Sequence, residues 1–253
     1  MEAFLGGFCI PMIDFHCHIL PAIDDGSQSM EQSLELARQS VAGGISHVVA
    51  TPHGGCRDLA EQLARRDQAL KSLRARLAQE SIPLELISGM EYRADSEFWN
   101  AVLRAPECRC GLDKGEARPL LLEMPLDMDI TIAADIYFKA QLKGVNIVLA
   151  HPERYRGFVQ KADMLLDLQD KGLCLQFNAA PLRRGFPFFD SLQKTILKLI
   201  AHAPDQVVLG SDAHNPEHRP GGFAMAKDYV TSRLGEKTWH TISEETPRRL
   251  LGL

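Results

Sequence analysis

Met12-Ile13-Asp14-Phe15-His16-Cys17-His18 begins as an apolar run and ends on two histidines two positions apart. A short run of this kind reads as a strand buried on both faces, as in a parallel sheet. The same pattern recurs along the chain. Apolar runs at His47 to Thr51, Leu86 to Met90, Leu120 to Met124, Asn146 to Ala150, Leu173 to Asn178 and Val207 to Ser211 bring the predicted strands to seven.

Helical patterns fill the intervals. Ser29 and Gln32 form a capping box ahead of Leu34, Leu36, Ala37 and Val41, and Gly43-Gly44 stops that helix. From Arg57 to Gln79, Leu59, Leu63, Leu70, Leu73 and Leu77 recur at roughly helical spacing among charges that read as a solvated face. Strand and helix alternate, which predicts an α/β fold with a parallel sheet covered by helices; closure into a barrel is the natural option for seven such units. The least regular stretch, Arg104 to Pro119, reads as a loop within one domain spanning residues 1–253.

Composition narrows the function. Hydrophobic residues at 45% and charged residues at 24% fit a globular enzyme rather than a disordered chain. The net charge of −5 supplies no cationic field for nucleic acid. The apolar stretch from Ala3 to Ile13 is too short to span a bilayer and lacks the basic start of a signal peptide, so a cytoplasmic protein without membrane insertion is expected. Six cysteines in a chain this long make no disulfide framework and read as reduced thiols.

The ionisable residues fall at the strand ends. His16 and His18 follow the first strand, His53 the second, Glu91 the third, Glu123 lies at the end of the fourth, His151 follows the fifth, and Asp212 and His214 follow the seventh; only the sixth offers none. In a parallel barrel these ends share one side, where active sites lie. One His-x-His pair is weak evidence, but its two rings point to one face. Burying so many ionisable groups without a cation would cost several kcal/mol, on the order of that for each unpaired charge. Five imidazoles with four carboxylates, Asp25 included, exceed what one four-coordinate ion needs, so two or three divalent ions are expected. The N/O donor set suits Mn first, with Zn or Fe as alternatives. His47, His202 and His240 sit away from the strand ends and read as structural.

These residues occur in the segments His16-Cys17-His18, Asp24-Asp25-Gly26, Thr51-Pro52-His53, Gly89-Met90-Glu91, Leu122-Glu123, His151-Pro152-Glu153-Arg154-Tyr155 and Ser211-Asp212-Ala213-His214-Asn215. In this order they resemble the polymerase-and-histidinol-phosphatase (PHP) family. Within it, the fifth and last segments, with Arg219 following, are most similar to the bacterial manganese-dependent protein tyrosine phosphatases that act alongside capsule and exopolysaccharide tyrosine kinases. The resemblance implies a distorted seven-stranded β/α barrel with a three-metal site. It implies metal-ligand roles for His16, His18, Asp25, His53, Glu91, Glu123, His151, Asp212 and His214, and phosphate binding by Arg154 and Arg219. It further implies a tyrosine-phosphorylated protein, a kinase tail, as substrate and partner. One departure stands out: Gly54-Gly55-Cys56 runs directly into a helix where similar members carry a further His or polar residue and a longer loop. Cys17 should point to the opposite strand face and join the core.

The expected chemistry is attack on phosphorus by a metal-held hydroxide, with the ions and the two arginines clamping the phosphoryl oxygens. The cysteine route requires Cys-x5-Arg, and that signature is absent. The residues six after Cys9, Cys17, Cys56, Cys108, Cys110 and Cys174 are Phe15, Ile23, Gln62, Lys114, Glu116 and Ala180. Two other readings remain open from the residues: a phosphatase for a small ester such as histidinol phosphate, and an inert metal-binding module.

Overall fold

The computed structural model describes residues 11–94, 106–111, 118–185 and 190–253. Nine strand segments run β1 (Met12–Cys17), β2 (Ile45–Ala50), β3 (His53–Gly54), β4 (Glu85–Ser88), β5 (Glu91–Arg93), β6 (Leu120–Glu123), β7 (Ile147–Ala150), β8 (Cys174–Asn178) and β9 (Val207–Gly210). Every pairing between them is parallel, in the orders β1-β2-β4 and β3-β5-β6-β7-β8-β9.

Nine segments resolve into the seven expected strands. Thr51-Pro52 separates β2 from β3, and Gly89-Met90 separates β4 from β5. Proline has no N–H to donate to a ladder. The Gly89 N–H still reaches Ala50 O at 3.1 Å and the Glu91 N–H reaches Pro52 O at 3.1 Å, so the broken strands continue side by side. The first and last strands also meet: the Asp212 N–H donates to His16 O at 2.8 Å and the His18 N–H to Ala213 O at 2.9 Å, with a parallel bridge between Cys17 and Ala213. The result is an α/β fold of parallel sheets, interrupted at two points and with its first and last strands in contact, consistent with the distorted barrel that the resemblance implies.

Alternation along each strand sorts the side chains. Ile13, Phe15, Val49, Ile87, Leu121, Val148, Cys174 and Val208 form one apolar cluster inside the ring, with Leu251 against it. Neighbours such as Leu86, Leu120, Leu149, Leu175 and Leu209 face the helices in the second, larger cluster. One step along the inward face, apolar residues give way to polar ones: Leu121 to Glu123 and Cys174 to Gln176.

The helices begin and end where the local chemistry dictates. In helix Met30–Ala42 the Ser29 hydroxyl accepts from the Gln32 N–H at 3.3 Å. The Gln32 side chain reaches back to accept from the Gln28 N–H at 2.9 Å, one residue beyond the usual N-cap partner. Gly44 follows at φ 83°, a conformation suited to glycine. Helix Leu59–Gln79 buries Leu70, Leu73 and Leu77 as its spacing predicts. Its charges are not all on a wet face. Arg66 is buried, donating to Glu107 O at 2.7 Å and Gly89 O at 3.3 Å, where it ties the helix to the β4–β5 break. Of the stretch Arg104 to Pro119, only 106–111 and 118–119 lie within the described residues; Pro106–Cys108 forms a single 3-10 turn there.

Candidate metal centre

Seven strands that end on one side bring their terminal residues together over the apolar interior. A bulge in β1 adjusts the first of them. Asp14 pairs with Val48 and Cys17 with Ala50, so three steps on β1 oppose two on β2. The extra residue lets both Phe15 and His16 turn inward, breaking the alternation that would send them to opposite faces. Cys17 is fully buried in the outer cluster, as expected.

Glu91 stands at the centre. Its Oε2 lies 3.2 Å from His16 Nε2, 3.2 Å from His18 Nε2 and 3.0 Å from His53 Nδ1, and its Oε1 lies 2.7 Å from His151 Nε2. Asp212 Oδ1 faces His16 Nε2 at 3.6 Å and His18 Nε2 at 3.5 Å. Asp25 Oδ1 joins His53 Nε2 at 3.3 Å to His214 Nε2 at 3.5 Å, and Glu123 Oε1 lies 3.6 Å from His151 Nε2. All nine side chains singled out from the sequence are therefore linked by contacts no longer than 3.6 Å.

The donor set fits divalent ions. Three overlapping groups, His18-Asp25-His53-His214, His16-His18-Glu91 and His53-Glu91-Glu123, each place their donor atoms within 4.8 Å of one another. His16 Nε2 and His18 Nε2 face each other at 3.0 Å, and because each Nδ1–H already donates, to Gln176 and Asp24, the neutral rings present two opposed lone pairs. A cation between these nitrogens and the carboxylates would satisfy all of them. The acid–base balance points the same way. Burial opposes charge on His18, but the Asp24 and Glu91 carboxylates overcome it and raise the ring to about 10. Burial likewise opposes ionisation of Glu91, yet His16 and His151 hold it well below the usual carboxylate range. Burial, with His18 and Arg219 nearby, drives His214 down to about 4. Without ions, protons on the central imidazoles neutralise the carboxylates.

A shell of residues not singled out from the sequence fixes these rings. Asp24 Oδ2 accepts from His18 Nδ1–H at 2.8 Å and from the His53 N–H at 2.8 Å. The sixth strand, which supplies no ionisable ligand, supplies amides. Gln176 Oε1 accepts from His16 Nδ1–H at 2.8 Å and from the His151 N–H at 3.2 Å, and Gln176 Nε2 donates to Asn178 Oδ1 at 2.9 Å. Asn178 Nδ2 then donates to Asp212 Oδ2 at 2.9 Å, while its N–H is accepted by Glu153 Oε1 at 2.9 Å. Such outer partners set the tautomer and the aim of a ligand. Their signal lay in position alone: polar residues on the inward face of a strand. Gly210 beside them admits no side chain, because a Cβ there would lie 2.5 Å from His16 Cβ and 2.7 Å from Gln176 Nε2.

His151 at φ 31° and Asp212 at φ 51° adopt left-handed backbone directly after their strands. That conformation costs a non-glycine residue on the order of 1–2 kcal/mol and persists only where the surroundings impose it. Here the His151 and Asp212 amides are held by Gln176 and by His16 O.

Above the cluster opens a cavity of about 810 Å³. Arg154 and Arg219 line it and both lean on Asp212 Oδ2, at 3.3 and 2.5 Å. Gly54 and Gly55 form part of its wall, so the short loop after His53 does reach the site. The three histidines read as structural stay apart: His202 pairs with Asp170 at 2.8 Å, His240 with Glu244 at 3.2 Å, and His47 meets Ser46 Oγ at 2.7 Å. Among the described residues no helix is long and apolar enough to cross a membrane.

The comparisons with known proteins agree with this geometry. Tyrosine-protein phosphatase YwqE of Bacillus subtilis (strain 168) is 34% identical over 233 residues, covering 92% of this chain and 89% of the relative. Tyrosine-protein phosphatase CpsB of Streptococcus pneumoniae is 24% identical over 95% of this chain and 98% of its own. A crystal structure from work on YwqE and CpsB, described as metal-dependent tyrosine phosphatases, superposes with a TM-score of 0.78 at 31% identity, covering 94% of both chains. The family model for capsular polysaccharide synthesis proteins CpsB/CapC matches residues 12–252, and the chain belongs to that family.

Proposed function

We propose that this chain is a metal-dependent protein tyrosine phosphatase. The observation that carries the reading is the continuous web of five imidazoles and four carboxylates centred on Glu91, at the floor of a cavity walled by two arginines. Residues 1–253 act as one catalytic domain. His16, His18, Asp25, His53, Glu91, Glu123, His151, Asp212 and His214 hold two or three divalent ions. The N/O donor set without thiolate favours Mn, with Zn or Fe as alternatives.

Phosphate monoesters have very high uncatalysed barriers. Bound ions supply Lewis acidity and lower the pKa of water toward roughly 7. The chain's own residues do the rest. Arg154 and Arg219 present planar, permanently charged guanidinium groups to the non-bridging oxygens and neutralise charge in the transition state. Asp24 and Gln176 keep the Nε2 atoms of His18 and His16 aimed inward. Ile23 and Leu126 provide apolar surface at the cavity wall for an aromatic ring. A phenol leaves with a pKa near about 10, so tyrosine phosphate requires less help from an acid than an alkyl ester does. A cysteine nucleophile is disfavoured: Cys17, between His16 and His18, is buried and its thiol is pushed well above its usual range by burial and by Asp14, and no Cys-x5-Arg signature is present. The protein substrate is the phosphorylated tail of a bacterial tyrosine kinase, and the reaction takes place in the cytoplasm.

The test is steady-state hydrolysis by metal-stripped protein after adding back Mn, Zn, Fe or Mg, with a phosphotyrosine peptide, a phosphoserine peptide and histidinol phosphate as substrates. Metal-dependent turnover with the phosphotyrosine peptide strongly preferred is expected. A preference for histidinol phosphate would overturn the substrate, and no turnover of any ester with metal bound would overturn the enzyme.

A further inference from the structure

The cavity over the cluster is lined by four arginines, committed in two different ways. Arg154 and Arg219 are tethered to Asp212 beside the metal ligands. Arg65, from helix Leu59–Gln79, and Arg93, from β5, are exposed on the wall of the same cavity. No described residue forms an ion pair or side-chain hydrogen bond with either guanidinium. Asp127, the cavity's one carboxylate outside the metal cluster, pairs with neither among the described residues.

The place of Arg93 follows from register. Glu91 and Arg93 are two apart on one strand and share a face, so Arg93 stands one pleat, about 7 Å, nearer the mouth than the carboxylate at the centre of the cluster. It is the register partner of Glu123 on β6, without an ion pair between the two. A cavity of about 810 Å³ also exceeds what one phosphorylated side chain fills, being near the upper end of the range for pockets that enclose a drug-sized ligand. The floor and the first arginine pair serve the reacting phosphate, which leaves two uncommitted cations over open space.

Resting on the phosphotyrosine reading, we infer that Arg65 and Arg93 form a second anion subsite for an acidic group flanking the phosphotyrosine on the same peptide. Two chemistries meet this requirement, a carboxylate or a second phosphoryl group, and both are forked acceptors that a guanidinium recognises. The inference gives the short loop after His53 a consequence. With little chain in that loop to contact a peptide, selection passes to side chains on the helix that follows it and the strand that pairs beside it, and it selects by charge.

The test compares kcat/KM for metal-loaded protein on three peptides of equal length: phosphotyrosine with neutral flanks, with glutamates on both sides, and with a second phosphotyrosine two residues away. Wild type is expected to favour the charged peptides by about fivefold at low salt, in line with partly exposed ion pairs, and the preference should shrink as ionic strength rises. The ratio should fall to near one in the Arg65→Gln/Arg93→Gln double variant and largely survive in Arg65→Lys/Arg93→Lys, which keeps the charge and controls for folding. A greater gain from the second phosphotyrosine than from the glutamates would assign the subsite to phosphoryl groups, and the reverse to carboxylates. A wild-type ratio near one, or an undiminished ratio in the Gln variant, would overturn the inference. Absence of turnover on any phosphotyrosyl peptide would overturn the underlying activity as well, whereas turnover without charge preference overturns the subsite alone.

Discussion

Replacing Gln176 by leucine removes a side-chain amide, and with it one acceptor oxygen, while leaving every proposed metal ligand in the sequence. That oxygen accepts from the fully buried His16 Nδ1–H at 2.8 Å and from the His151 N–H at 3.2 Å. Leucine has similar bulk but cannot accept either bond. The His16 ring then loses what fixes its tautomer, and its Nε2 is no longer held as the free lone pair. Loss of an outer partner of this kind costs about 10- to 100-fold in metal affinity, or about 1.4 to 2.8 kcal/mol. An unsatisfied buried His151 N–H adds about 1–3 kcal/mol of destabilisation to the metal-free protein. The assay is Mn affinity by competition with a fluorescent chelator, alongside thermal unfolding of the stripped protein. Gln176→Glu is the informative control, since its carboxylate keeps the acceptor while losing the link to Asn178, and it should bind Mn more tightly than the leucine variant. Gln176→Leu protein that binds Mn within twofold of wild type would refute the idea that the sixth strand aims the cluster.

Three further outcomes follow from the geometry. Gly210→Ala would force a Cβ to within 2.5 Å of His16 Cβ, so metal content, measured by mass spectrometry of the purified protein, should fall along with turnover even if the fold survives. Arg219→Lys keeps the charge beside Asp212 but loses the fork, and kcat/KM for an aryl phosphate should drop by about 10-fold or more with Mn affinity little changed. Because the His18 ring without ions is raised to about 10 by Asp24 and Glu91 against burial, an ion must displace protons to bind. Apparent metal affinity should therefore rise with pH by about tenfold per unit for each proton displaced between pH 6 and 8, and be lost as pH falls; isothermal titration in buffers of different ionisation enthalpy counts those protons.

The sequence was most legible where chemistry and position coincide. Each apolar run ending in His, Asp or Glu marked both a strand and the side of the sheet that carries the cluster, and the structure links those eight side chains with Asp25, whose part was legible from the family resemblance rather than from a strand end. Leu70, Leu73 and Leu77 announced the buried face of their helix by spacing alone. What the residues hid was local. The β1 bulge that turns His16 inward beside Phe15 is a property of register between two strands, invisible in either alone. The break at Gly89-Met90 lay inside an apolar run that reads as continuous. Gln176 and Asn178 carry no charge and sit in a strand that otherwise looks like core, so nothing short of their inward alternation distinguishes them. Arg66 shows the opposite error: a charge on an apparently wet helix that is buried because two carbonyl groups and the Asp67 carboxylate accept its bonds.

The account stands or falls on ions bound by the Glu91-centred cluster. The most direct measurement is turnover of a phosphotyrosine peptide as Mn is titrated into fully stripped protein, read against equivalents of metal bound per chain. Activity that is absent without metal and reaches its plateau at two to three equivalents is the expected result. Full turnover in stripped protein, or a plateau at one equivalent or fewer, would contradict it.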